Sequence, residues 1–121
     1  MVHPALTKPD ARGVALDLLQ AVLRRRRPLD EAIGAHRLMA RLAARDRGFA
    51  RLLVATTLRR LGEIDQALRP LLQKPLSAKA SPVADALRLG ACQILLLGTP
   101  AHAAVGETVA LVAGLGALAG Y

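Results

Sequence analysis

The sequence is short of the residues that hold small proteins together covalently or through aromatic contact. It has one cysteine, Cys92, inside an apolar run, which excludes an internal disulfide and a multi-cysteine zinc site and fits a reducing cytoplasm. Tryptophan is absent, and Phe49 and Tyr121 are the lone phenylalanine and tyrosine, so base-stacking platforms of the kind used by single-strand binders are excluded. Acidic side chains are scarce: nine Asp and Glu stand against seventeen Lys and Arg. Long unbroken apolar runs are missing as well. The opening MVHPALTKPDARG has no apolar core for a signal peptide, and the uncharged stretch from residue 89 to 106 is interrupted by Gln93, Gly98 and Pro100. Export and membrane spanning are both rejected.

What remains is a chain of 121 residues with 53% hydrophobic content, enough for one compact domain that buries roughly two-thirds of its unfolded surface. The expected domain covers residues 1–121, with 1–9 as a loose N-terminal arm. Its net charge of +8 and pI near 11.3 attract polyanions, with nucleic acid ahead of an anionic membrane surface. Without aromatics, such a grip is mostly ionic.

Apolar spacing divides the chain into helices. Val14, Ala15, Leu18, Leu19, Val22 and Leu23 recur at helical intervals behind Asp10, a plausible N-cap, and Pro28 ends that helix near the 24–27 arginine run. A shorter helix is expected from Leu29 or Asp30, with Ala32 and Ile33 inward, and residues 37–45 are ambiguous. A third is expected around Asp46, burying Phe49, Leu52, Leu53, Ala55 and Leu58 and stopping at Gly62. A short helix through Ile64 and Leu68 follows, interrupted at Pro70, and residues 73–81 read as a connection within the domain. Ser81-Pro82 and Thr99-Pro100 are two further start signals. The first opens a nearly all-apolar helix suited to the centre of a bundle, and the second opens one expected to end at Gly114. No strand is convincing, so the fold class is an all-α bundle of about six helices.

The carboxy-terminal VALVAGLGALAGY holds G-x-G-x-x-x-G, the outline of a phosphate-binding loop. Such a loop needs a strand before it and a helix after it. Neither is legible, and the glycines read as a helix stop and a turn. Catalytic groupings are no stronger. His3, His36 and His102 are far apart without ligand neighbours, and His36 reads as a surface-helix residue. Cys92 reads as a small core residue, and Asp46, Glu63, Asp65 and Glu107 fall mostly at helix starts, where carboxylates suit the backbone dipole. Metal and catalytic residues are therefore expected to be none.

The arginines are the informative set. Arg37, Arg41 and Arg45 fall at i, i+4 and i+8, and Arg47, Arg51 and Arg59 share one side of the next helix. Like charges at that spacing repel one another until phosphates lie between them. For the 24–27 run, the favourable placement of cations at a helix C-terminus is an equal explanation.

The stretches ARGVALDLLQAVL, LAARDRGFARLLVATTLRRLGEIDQALRPLL and ALRLGACQILLLGTPAHAAVGETVALVAG follow one another as in the NusB-like helical domain. The sequence resembles most closely the form found at the start of bacterial rRNA cytosine-C5 methyltransferases. The specific parts are Asp46-Arg47 leading to Phe49 and Leu53, the helix over 61–72, and Pro100 to Val105 with Glu107; Gly106 stands where the family usually has Asn. The resemblance implies an RNA-binding, non-catalytic domain that places an S-adenosylmethionine-dependent enzyme on small-subunit ribosomal RNA. No cofactor is expected in this chain, since the cofactor belongs to the catalytic domain. Position by position, the resemblance carries anion contacts onto Lys8, Arg12 and Arg47, while Arg37, Arg41 and Arg51 rest on charge spacing. Implied partners are rRNA and the methyltransferase domain, in the cytoplasm. The bundle is expected to lack the family's final helix, leaving an apolar groove for self-association. The alternatives are a standalone antitermination factor, favoured less because its first helix is more basic, and a helical protein-interaction module.

Overall fold

A computed structural model describes residues 10–72 and 81–119, and within them six α-helices and no strand. Helix α1 is Ala11–Leu23, α2 Leu29–Ala35, α3 Ala44–Arg59, α4 Leu61–Leu68, α5 Ser81–Leu95 and α6 Ala101–Ala119; single 3-10 turns cover Met39–Arg41 and Arg69–Leu71. The Lys8 position lies outside the described residues.

Asp10 caps α1 as expected: its backbone is extended, and its side-chain oxygen accepts the Arg12 N–H at 3.1 Å. Leu18, Leu19 and Val14 of α1 meet Leu53 and Val54 of α3 and Leu89 and Cys92 of α5, all buried. Helix α5 packs on α1, α3, α4 and α6 together, the central place that its apolar run implied. It approaches α6 closely enough that a β-carbon on Gly90 would collide with the Thr108 hydroxyl, with Cβ and Cγ2 of Thr108 at 3.3 Å. Only glycine permits that separation.

Three expectations are corrected. Gly62 does not stop α3. The helix ends at Arg60, whose φ of −112° and ψ of 25° turn the chain so that Ile64 of α4 enters the core fully buried. Leu53 is fully buried and Phe49 and Leu58 pack half-buried against the core as expected, but Leu52 is 49% exposed, and Ala50, Val54 and Thr57 complete the buried face where α3 meets α1 and α5. Gly114 does not end α6 either, since the helix runs through Gly114 and Gly116 to Ala119. A glycine costs a helix about 1 kcal/mol relative to alanine, and the surrounding Ala and Leu outweigh that.

Two helices end in the same way. After α5, Gly98 takes a φ of +71° and the Thr99 N–H reaches back to the Gln93 carbonyl at 3.0 Å before Pro100 and the next helix. After α1, Arg26 takes a φ of +55° and the Arg27 N–H reaches the Ala21 carbonyl at 3.1 Å before Pro28 and the next helix.

Candidate nucleic-acid interface

Of the fourteen arginines, several are committed to the scaffold. Arg12 is half-buried. Its Nε donates to the Gln93 side-chain carbonyl at 2.8 Å, and its guanidinium lies 4.9 Å over the centre of the Phe49 ring. Gln93 is fully buried, so the amide is held as well: its nitrogen donates to the Leu89 carbonyl at 3.2 Å. Arg47 is exposed, but its guanidinium donates to the Leu42 carbonyl that precedes α3.

A second group forms an ion network that sequence reading missed. Asp85 is fully buried and accepts from Arg24 Nη2 and Nε at 2.8 and 3.2 Å, and from Arg88 Nη1 at 2.8 Å. Arg88 also forks onto Asp65 at 2.7 and 3.1 Å, an arrangement that raises its pKa. Asp65 thus serves α5 as well as its own helix. The available signal was Asp85 and Arg88 at i, i+3 within an otherwise apolar helix. His36 is also reassigned: it follows α2 rather than lying on a surface helix, its Nδ1 accepts from the Leu38 and Met39 N–H groups, and its Nε2 donates to Asp17 at 2.9 Å.

The other described arginines are exposed. Arg37, Arg41 and Arg45 are exposed, but they do not share a helix, because residues 39–41 form a 3-10 turn and α3 begins at Ala44. The i, i+4, i+8 argument therefore fails for them, although they remain close in the chain to the start of α3. Arg45, Arg51 and Arg59 occupy the solvent side of α3, within about 120° of arc and about 21 Å of helix length. The other residues on that side are Ala44, Gly48, Leu52 and Ala55, and the one acid of α3, Asp46, is half-buried in its first turn. None of Arg37, Arg41, Arg45, Arg51 and Arg59 is ion-paired among the described residues.

Cys92 is buried against Thr57, and loss of solvation pushes its thiol up, the reverse of what a nucleophile needs. Among the described residues, Leu71, Ile94, Leu95, Val105 and Val109 are exposed around an open apolar cavity of about 440 Å³ between α4, α5 and α6. No described helix is long and apolar enough to cross a membrane.

Comparison with known proteins agrees with this architecture. The model of the NusB family matches residues 9–119. Ribosomal RNA small subunit methyltransferase B of Pseudomonas putida (strain KT2440) is 36% identical over 98 residues, covering 81% of this chain and 22% of that protein. The protein of the same name from Sodalis glossinidius (strain morsitans) is 38% identical over 72 residues, covering 60% and 17%. The chain thus corresponds to about a fifth of the length of these relatives. No solved structure gives a significant match. An all-α bundle whose family model spans nearly all of its length belongs to the NusB family.

Proposed function

We propose that this chain is a non-catalytic RNA-binding domain that directs a small-subunit rRNA methyltransferase to its substrate in the cytoplasm. The supporting observation is the solvent side of α3, where Arg45, Arg51 and Arg59 extend over about 21 Å with no ion-pair partner among the described residues. Guanidinium groups in such a row repel in the free protein and are satisfied by successive phosphates, which they take bidentately. We also assign to the contact set Arg37 and Arg41, which precede α3 in the chain, and Lys8. Arg47 adds charge to the same surface while holding Leu42, and Arg12 contributes its remaining N–H groups from a clamped position. The relatives' names supply the substrate class, ribosomal RNA of the small subunit.

S-adenosylmethionine would be held elsewhere in such a protein. Gly114 and Gly116 lie inside α6, so they form no loop against a helix N-terminus where a cofactor could be cradled. The residues described here bind and orient RNA.

The test is fluorescence anisotropy with a labelled small-subunit rRNA transcript across a salt series. The log-log slope should lie near −3 to −7, about 0.7 to 0.9 per phosphate contacted. Replacing Arg45, Arg51 and Arg59 together by Ala should flatten it by about two to three. Absence of binding at 50 mM salt, about the lowest ionic strength at which such contacts are compared, refutes the reading.

A further inference from the structure

We infer that the turn joining α1 to α2, carrying Arg25, Arg26 and Arg27, is a second phosphate-binding site for structured RNA, separate from the α3 surface. The inference rests on the RNA-binding reading above and adds a contact to it. Three observations support it.

The first is that the turn does not need its charges. The connection after α5 has the same backbone course: a residue with positive φ, a return hydrogen bond from the following N–H to a carbonyl six residues earlier, then proline and the next helix. There the three positions are Leu97, Gly98 and Thr99, all uncharged. In the α1 turn they are three arginines, and the left-handed position is Arg26, where a side chain is strained and glycine would not be. Neither capping nor turn geometry accounts for arginine at these positions.

The second is that the charges are free and concentrated. Arg25, Arg26 and Arg27 are all exposed, and none is ion-paired among the described residues. The favourable place for a cation at the end of α1 is already taken by Arg24, whose guanidinium is forked onto buried Asp85. Three further guanidiniums on consecutive residues add mutual repulsion that only an anion relieves.

The third is that the turn is held at both ends. Asp85 fixes Arg24 at its start, the Arg27 N–H is tied to Ala21, and Pro28 sets its exit with a φ of −59°. The guanidiniums therefore project from a pre-organised root, which lowers the ordering cost of binding.

RNA fits this turn better than a lipid surface does. Between residues 24 and 28 the sole apolar side chain is Pro28, so nothing is available to insert among acyl chains, and arginine forks suit phosphate oxygens. The site also lies about 20 Å along α1 from Arg12, at the opposite end of the helix. A folded RNA that bridges both ends is favoured over a short single strand.

The experiment compares the wild-type protein with three variants on the labelled small-subunit rRNA transcript, from 50 to 300 mM salt, about the range over which ionic contacts are resolved. The turn variant is Arg25→Ala, Arg26→Gly and Arg27→Ala, with glycine chosen because Gly98 builds the same turn. The surface variant is Arg45→Ala, Arg51→Ala and Arg59→Ala. The turn variant should keep its helical circular dichroism and melting temperature, weaken binding about ten- to hundredfold at low salt and flatten the slope by about two to three. A second turn variant, Arg25→Lys, Arg26→Lys and Arg27→Lys, should keep the slope and lose part of the affinity. If the surface variant loses affinity while the turn variant keeps wild-type affinity and slope, this inference falls and the RNA reading stands. If the wild type fails to bind RNA, both fall. Turn-dependent binding to phosphatidylserine vesicles, with turn-independent binding to RNA, also overturns it.

Discussion

The buried carboxylate of Asp85 offers the sharpest test of how the bundle is held. Replacing it by Ala removes three charge-assisted hydrogen bonds, two to Arg24 and one to Arg88. Bonds to charged groups contribute roughly 1.5 to 3 kcal/mol each, so a simple sum would approach 7 kcal/mol. Two effects reduce it. Arg24 is 40% exposed and can turn into water, and Arg88 keeps its fork on Asp65, so neither cation is stranded. The desolvation of Asp85 itself is also recovered. The net cost should be about 3 kcal/mol, at the lower edge of the range for breaking a buried pair. For a domain of this size that corresponds to a fall in melting temperature of about 10 to 15 °C. Arg24→Ala should cost about 1 kcal/mol, because Asp85 keeps Arg88, and the double variant should be no worse than Asp85→Ala alone. Urea unfolding followed by circular dichroism reads all three. A loss below about 1 kcal/mol for Asp85→Ala, with additive single effects, would refute the claim that this carboxylate ties α1 to α5.

The other expectations follow from packing and burial. Gly90→Ala should destabilise the protein by about 1 to 3 kcal/mol despite the better helix propensity of alanine, and adding Thr108→Ala should recover part of the loss, as measured by denaturant unfolding. Because burial raises the Cys92 thiol, the folded chain keeps that proton to higher pH than the unfolded chain. Its contribution is complete below the ordinary thiol range and is lost as pH rises through the folded value, so Cys92→Ala should flatten the alkaline fall in stability. The groove around Val105, Val109 and Ile94 should drive concentration-dependent self-association in sedimentation velocity, and Val109→Lys should abolish it without altering circular dichroism. A wild-type chain that stays monomeric at about millimolar concentration would end that expectation.

Periodicity and capping chemistry made the helices legible. Asp10, Pro28 and Pro100 mark starts that the structure keeps to within a residue or two, because these signals act through the local backbone. The misplaced features depend on tertiary contacts. The break at Arg60 has no local marker and follows from the demand of Ile64 for the core. The exposure of Leu52 was hidden because Leu52 and Leu53 are equally apolar, and only the neighbouring helices choose between them. At the basic surface, spacing put Arg47, Arg51 and Arg59 on one helix but grouped Arg45 with the segment before it, and it could not show which are already bonded within the protein. Arg12 and Arg47 look like free cations in the sequence, and their partners, Gln93 and the Leu42 carbonyl, are identified by packing alone. The Asp85 network was missed: its one trace in the sequence is two charges three residues apart in an apolar helix, and its distant members, Arg24 and Asp65, leave none.

The clamping of Arg12 affects how mutational data should be interpreted. Removing that side chain unseats the Phe49 ring and leaves the buried Gln93 oxygen without its donor. A drop in ligand affinity for an Arg12 variant therefore mixes loosened architecture with lost attraction. Only a thermal melt run beside each titration separates an arginine that grips from one that braces.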